Sequence, residues 1–173
     1  MKVAGIVAEY NPFHNGHKYH IEKTKEETGA THIMAVMSGD FVMRGEPALV
    51  GKQERAKAAV MGGCDLVIEL PVCYSLSSAE YFAYGGVYIL NAAGCVDFLS
   101  FGSEEGETEA LFKIADVLLN PAIQNNIKEK MKKGIPVFKA ISESLNEYAG
   151  ILNKPNNILG INYIKALKRL NSK

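Results

Sequence analysis

Glu9-Tyr10-Asn11-Pro12-Phe13-His14-Asn15-Gly16-His17 follows directly on the apolar run from Val3 to Ala8. That run is short, β-rich and bounded by turn formers, so Lys2 to Ala8 reads as a buried strand. The residues after the turn carry Tyr19, Ile21 and Lys25 among good helix formers, so Gly16 to Thr28 reads as a helix. Two histidines therefore stand where a strand ends and a helix begins. Gly16 has no Cβ and lets a ligand approach the backbone closely. Unpaired N–H groups at a helix start attract anions, phosphate most commonly. Two imidazoles beside them can donate to a phosphate and to the charge that develops as it reacts.

Working outward, strand and helix signals alternate. Thr31 to Met37, Asp65 to Leu70 and Val96 to Phe101 read as strands. Gly51 to Met61 and Ser78 to Ala93 read as helices, the second with Ser77 or Ser78 as N-cap. The near-continuous apolar strands imply a parallel sheet covered on both faces, a Rossmann-like, doubly wound α/β fold. Ligands in such sheets bind outside the carboxyl ends of the strands. Topology alone thus brings the loops 9–17, 38–47 and 102–106 to one site. After residue 106 the character changes: Glu107 to Leu119, Pro121 to Lys133, Pro136 to Tyr148 and Ile158 to Leu170 read as helices. Asn120-Pro121 is a cap followed by proline at the first helical position. The expected organisation is a nucleotide-binding core over residues 1–106 and a helical annex over 107–173 packed on it. The chain ends just after a helix without a closing strand, so a truncated chain or natural fragment is expected.

The bulk properties set bounds. A length of 173 residues suits one domain with a real core. Lys+Arg and Asp+Glu both number 19, so no dominating electrostatic grip on nucleic acid is expected from this segment. Cys64, Cys73 and Cys95 form no C-x-x-C pair, and read as buried thiols in a reducing compartment. No signal peptide or membrane span is visible, which points to a cytoplasmic protein.

Other motifs weigh differently. No G-x-G-x-x-G follows a strand. The stretch from Gly45 to Gln53 is one residue too long for a P-loop and ends in Gln53 where a Ser or Thr would hold magnesium. In the loop after the second strand, Ser38 and Gly39 offer donors, Asp40 could orient a substrate or a metal-bound water, and Arg44 is a fixed cation suited to phosphate or carboxylate. The competing reading is a turn with a surface Asp–Arg pair. Gly102 lets adenine or ribose lie against the backbone, and Ser103 or Glu104 could bind ribose hydroxyls; otherwise Glu104 sits in a solvated first turn. Asn156 or Asn157 is either an N-cap or a group that reaches a nucleotide. Tyr74, Tyr81, Phe82 and Tyr84 read as a core stripe rather than a base-stacking platform.

The spacing His14-x-Gly16-His17 matches the His-x-Gly-His signature of the nucleotidylyl-transferase superfamily. Residues 8–20, Met37-Ser38-Gly39-Asp40-Phe41 with Arg44-Gly45-Glu46-Pro47-Ala48, residues 65–71, Phe101-Gly102-Ser103-Glu104 and residues 155–160 together resemble the tRNA(Met) cytidine acetate ligases. The resemblance covers nearly the whole chain, in order. It implies that ATP activates acetate to acetyl-adenylate, and that the acetyl group passes to N4 of the wobble cytidine of elongator tRNA(Met). It also implies ATP contacts at Val7, Ala8, Glu9, Tyr10, Asn11, Pro12, Phe13, His14, Asn15, Gly16, His17, Lys18, Tyr19, His20, Gly102 and Asn157, with His14 and His17 carrying the chemistry. Mg²⁺ would arrive with ATP, with no direct protein ligand. Family members are longer, and a further ATP-binding arginine and a C-terminal region that helps hold tRNA fall beyond Lys173. Within this segment Arg44, Lys52, Arg55 and Lys57 are the expected local contributors to tRNA binding, against a plain solvated helix face. Two alternatives stand beside this: a small-molecule adenylyltransferase that joins AMP to a phosphorylated cofactor precursor, and a nucleotide-binding module without chemistry.

Overall fold

The structure is a computed structural model that describes residues 1–104, 108–145 and 148–172. Four strands, β1 (Val3–Ala8), β2 (His32–Ser38), β3 (Leu66–Leu70) and β4 (Phe98–Ser100), form one parallel sheet in the order β3-β2-β1-β4. The register pairs Ala8 with Met37, Ser38 with Leu70 and Ile6 with Ser100. The carboxyl ends are therefore level, and the loops that leave them start side by side.

Alternation along β1 assigns its two faces. Ala4 and Ile6 join Ile33, Ala35 and Met37 of β2 in a cluster closed by Ile21 of α1 (Asn15–Thr28) and Ala59 of α2 (Lys52–Met61). Gly5 and Val7 face the other way, toward α4 (Ala79–Ala92). A Cβ on Gly86 would come within 2.5 Å of the Val7 side chain, and one on Gly5 within 2.7 Å of Leu90. The glycines let the helix lie directly on the strand. The crossovers through α1 and α2 thus cover one face and the crossover through α4 the other. The strand order reverses between β1 and β4, the point where open α/β sheets bind ligands.

The doubly wound fold expected from the sequence is the one observed, with corrections of detail. β3 is an edge strand with Leu66 and Glu69 exposed, so it is not buried on both faces. β4 is only three residues long. Ser78 holds the N-cap position of α4 without a capping side-chain hydrogen bond. Of the aromatic stripe only Phe82 is core, while Tyr81 is exposed. Of the three thiols only Cys64 is buried; Cys73 lies in the short helix α3 (Val72–Ser75) and Cys95 in the turn before β4, and both face solvent.

The chain falls into two compact units, one of residues 1–101 with the last residues from Leu170, the other Gly102–Arg169. The second contains α5 (Thr108–Leu119), α6 (Pro121–Lys132), α7 (Val137–Leu145), α8 (Ala149–Leu152) and α9 (Pro155–Arg169). Asn120 caps α6 by accepting the Ala122 N–H at 2.9 Å, as its Asn-Pro sequence predicts. Leu111, Ile114, Ala115 and Leu118 of α5 and Ile161, Tyr163 and Ile164 of α9 are buried in this unit, where Lys168 also meets Asp116 at 2.5 Å. The helix expected over Pro136 to Tyr148 ends at Leu145, with residues 146–147 outside the described residues. Residues 105–107, the end of the expected 102–106 loop and the first residue of the next expected helix, also lie outside them. No helix among the described residues is long and apolar enough to cross a membrane.

Candidate active site

The turn 9–17 leaves the buried strand β1 and enters α1 one residue earlier than its sequence suggests, at Asn15. His14 is the N-cap, in place of the usual Ser, Thr, Asp or Asn. Its Nδ1 accepts the Gly16 N–H at 3.1 Å, and the His14 N–H donates to His17 Nδ1 at 3.2 Å. The two imidazoles thus form a reciprocal capping box. The Gly16 and His17 N–H groups are satisfied within the turn, which corrects the expectation that the helix start offers a set of unpaired backbone donors. What the turn offers outward is imidazole. A neutral ring that accepts at Nδ1 carries its proton on Nε2, and among the described residues no partner meets Nε2 of either ring. The cap fixes the tautomer, and the tautomer makes each Nε2–H a donor.

Gly16 has a second reason beyond ligand approach. A Cβ there would lie 2.9 Å from His14 Cε1 and 3.1 Å from its Nδ1. Only glycine lets the His14 ring fold back over the turn.

His17 is half-buried against aromatic rings. Tyr10 meets it edge-on at 4.9 Å between centroids, and Phe13 lies at 5.5 Å. Burial lowers its pKa from the ordinary 6.5 to about 4, with smaller contributions from charge on His14 and His20. The ring is therefore neutral at physiological pH. His20, one turn on, hydrogen-bonds Ser100 Oγ of β4 at 2.9 Å, and burial lowers its pKa as well. Thr24 meets the same hydroxyl at 2.6 Å. These contacts seat α1 over the β1–β4 reversal. Tyr10 is buried; its hydroxyl faces Cys64 Sγ at 3.9 Å, and burial pushes its pKa up. Lys18 and Tyr19 are exposed on α1. Val7 and Ala8 are the last residues of β1, Val7 packed on α4.

The loop after β2 is tied to the turn after β1. Glu9 Oε1 accepts the Met43 N–H at 2.7 Å, and Asn11 Oδ1 accepts the Leu49 N–H at 2.7 Å. Asp40 makes no pair with Arg44. It accepts the Lys52 N–H at 2.9 Å at the start of α2, and Lys52 Nζ lies 2.9 Å from both oxygens of Glu69. Asp40 is thus a helix cap, and Lys52 spends its charge on carboxylates. Beside them a cleft of about 290 Å³ is lined by Asp40, Gly51, Lys52, Gln53 and Glu54. Ser38, fully buried at the end of β2, has a hydroxyl without a partner among the described residues. Among those residues no group of three or more His, Cys, Asp or Glu side chains could hold a metal ion.

Arg55 corrects the sequence reading most sharply. It is 1% exposed, so it is neither a solvated face nor an RNA contact. Its Nε donates to Val50 O at 2.8 Å, Nη1 to Glu9 O at 2.5 Å, and Nη2 to Gly39 O. The available signal was its position four residues before Ala59, the buried residue of the same helix face.

In the second unit Asn157 is fully buried, and α9 begins at Pro155, three residues before the expected Ile158. Asn156 and Asn157 therefore lie in the first turn rather than at the cap. Asn157 Oδ1 accepts from Ser103 Oγ at 2.8 Å and Glu104 N at 3.1 Å, and its Nδ2 donates to Ile151 O. Glu104 accepts the N–H groups of Asn156 and Asn157 at 3.2 and 3.0 Å. It caps the last helix, 52 residues away in sequence, rather than standing in a solvated first turn. The exchange fixes the backbone that follows Gly102, and a Cβ on Gly102 would meet no described atom within 4 Å.

The model of the HIGH Nucleotidyl Transferase family matches residues 1–173. The chain belongs to this family. The family's name spells His-Ile-Gly-His in one-letter code, and here Asn15 fills the second position. Among curated nucleotidyl transferases of this kind, the tRNA(Met) cytidine acetate ligase of Caldanaerobacter subterraneus subsp. tengcongensis is 49% identical over 180 residues, covering 99% of this chain and 45% of the relative. The tRNA(Met) cytidine acetate ligase of Acetivibrio thermocellus is 46% identical over 181 residues, covering 99% of this chain and 44% of the relative. A crystal structure of Thermotoga maritima TmcAL bound with alpha-thio ATP superimposes with a TM-score of 0.93 at 40% identity, over 99% of this chain and 44% of that one. The chain thus spans somewhat less than half the length of these relatives.

Proposed function

We propose that the chain carries the ATP site of a tRNA(Met) cytidine acetate ligase, in which acetate is activated to acetyl-adenylate and the acetyl group is passed to N4 of the wobble cytidine of elongator tRNA(Met). The observation that carries this reading is the pair of imidazoles locked as Nε2–H donors where β1 meets α1. Relatives named for this activity, and a similar structure with an ATP analogue bound, support it.

An acetate oxygen attacks the α-phosphorus of ATP. The bond to the bridging oxygen breaks and pyrophosphate leaves. Two anions must be brought together, so positioning and charge neutralisation dominate, and no enzyme nucleophile is needed. His14 and His17 donate to phosphate oxygens through Nε2–H. The neutrality of His17 matters, because a neutral donor keeps its proton as charge builds on the phosphate. The positive end of the α1 dipole adds to the field. The family resemblance implies nucleoside contacts at Gly102 and Asn157, and in this chain Asn157 holds the backbone after Gly102. The divalent ion that accompanies ATP would offset pyrophosphate charge, held by the nucleotide. In the second half-reaction N4 of cytidine attacks the acetyl carbon, AMP departs, and N4 loses a proton.

For tRNA the structure redraws the expected contacts. Arg55 is buried and Lys52 is paired, which leaves Arg44 and Lys57 exposed near the proposed ATP site. In the second unit Lys128, Lys132, Lys133 and Lys139 are exposed, and no carboxylate among the described residues lies within ion-pair distance of them. They are the better candidates for phosphate contacts.

The test is ATP–pyrophosphate exchange. Exchange that requires acetate supports the ligase. Exchange or AMP transfer with phosphopantetheine or nicotinamide mononucleotide instead identifies a small-molecule adenylyltransferase. ATP binding without exchange in a full-length protein identifies a binding module.

A further inference from the structure

Arg55 is a buried cation without a carboxylate partner within ion-pair distance among the described residues. Asp40, Glu9 and Glu69 act on its charge only at longer range, and burial lowers its pKa. Burying such a group is costly unless its donors are used. All three described hydrogen bonds go to backbone carbonyls, and the carbonyls belong to three places: Glu9 after β1, Gly39 after β2, and Val50 before α2. One planar guanidinium thus ties both loops of the proposed ATP site to the helix behind them. An ammonium cannot span these diverging acceptors.

The next residue after the Glu9 carbonyl is Tyr10, whose backbone is left-handed with φ of 48°. A tyrosine holds that conformation only when its surroundings over-determine it. Glu9 is held on one side by Arg55 and Met43, and Asn11 on the other by Leu49. The conformation drives the Tyr10 ring into the core beneath α1. There it meets Phe13 at 5.0 Å and 74° and His17 at 4.9 Å and 64°. The groups that face His17 are Tyr10, Phe13 and the stacked His14, with His20 acting on its charge.

We propose that Arg55 is the positioning residue of the site: by holding the Glu9 carbonyl it keeps Tyr10 left-handed, and through the Tyr10 ring it sets the place and orientation of the His17 imidazole. The relay is a property of the ligand-free protein. Its consequence for chemistry rests on the reading of His17 as the phosphate donor.

The experiment follows the His17 ring by ¹⁵N NMR in the 173-residue protein without ATP, through a pH titration of the unmodified chain, Arg55→Lys and Tyr10→Leu. In the unmodified chain the ring titrates near pH 4 and, when neutral, carries its proton on Nε2. With Arg55→Lys the titration midpoint rises by ~1 unit or more toward the ordinary value, and the Nδ1-protonated tautomer becomes populated. Tyr10→Leu produces the same change, and the double variant adds little to either. Amide signals of α4, on the opposite face of the sheet from Arg55, stay in place, which separates this from loss of fold. Should Arg55→Lys not fold, Asn11→Ala loosens the same turn from its other flank and is expected to move His17 in the same direction. A folded Arg55→Lys with unchanged His17 titration and tautomer overturns the proposal, as does full additivity with Tyr10→Leu, or an unmoved His17 in Asn11→Ala. ATP titration of the same samples separates the two readings. Saturating ATP shifts the His17 ring ¹⁵N signals of the unmodified chain if His17 holds phosphate, whereas ring signals unmoved by ATP leave the relay standing and remove His17 from the ATP site.

Discussion

The imidazole rings of His14 and His17 stack with centroids 3.7 Å apart and planes inclined by 22°. Each ring accepts a backbone N–H at Nδ1, so both are held in the tautomer with the proton on Nε2. The structural cap and the pair of donors proposed for phosphate are the same two side chains.

Stability should fall with acid through His17. Its pKa drops from 6.5 to about 4 on folding, chiefly through burial. Above pH 6.5 both states are neutral at this residue and its contribution is complete. Between 6.5 and 4 the unfolded chain binds the proton first, so stability declines as pH falls through that window. His20, lowered in the same direction, adds to the decline. Thermal unfolding from pH 8 to pH 4 should show a shallower decline for His17→Asn than for the unmodified chain. Identical slopes would contradict the assignment.

His17→Ala separates binding from chemistry. In an active full-length protein, acetyl-adenylate formation should fall by roughly 10²–10³, the usual effect of losing one preorganised donor. ATP affinity should fall much less. Equal losses in the two measurements would mean that His17 serves ground-state binding alone.

Gly16→Ala tests the cap. The added Cβ would sit 2.9 Å from His14 Cε1, so the His14 ring must swing away and release the Gly16 N–H. Loss of a cap costs about 1 kcal/mol, readable as a shift in urea midpoint without a change in slope. Calorimetric ATP titration should show weaker binding, because the His14 tautomer is no longer fixed. Unchanged values in both would show that the turn absorbs a methyl group freely.

Asn157→Ala should destabilise the second unit by about 2 kcal/mol, since it removes the part-buried hydrogen bonds to Ser103, Glu104 and Ile151. Asn156→Ala, which removes one exposed contact to Glu104, should cost much less. Hydrogen exchange at Ser103 and Glu104 provides the local check: Asn157→Ala should speed it and Asn156→Ala should leave it near its original rate.

Binding to elongator methionine tRNA should be weak for the 173-residue chain and steep in salt for a full-length relative, because each phosphate contact releases counterions. Reversing Lys128, Lys132 and Lys133 to Glu should weaken what binding the chain has, while Lys52→Ala changes it little. A chain that binds as tightly as the full-length protein, with the same salt slope, would refute this division.

Local physics explains how much was legible from the chain alone. Val3–Ala8, the turn at Asn11-Pro12 and the following helix formers dictate strand, turn and helix within a few residues, so the place of His14 and His17 could be read directly. The βα alternation up to residue 104 required a parallel sheet, and with it loops gathered at one edge. The His-x-Gly-His motif and the ordered motifs after it pointed to the family. What the residues did not disclose were relations between segments far apart in sequence. The burial of Arg55 depends on carbonyls 46 and 16 residues away. Glu104 caps a helix 52 residues on, and Asp40 caps one 12 residues on. A charged side chain looks the same in sequence whether it faces solvent or a cage of carbonyls. Only the packing of β1, β2 and α2 turned Arg55 from a surface cation into a buried brace, and only the folded turn decided which nitrogen of each histidine points outward.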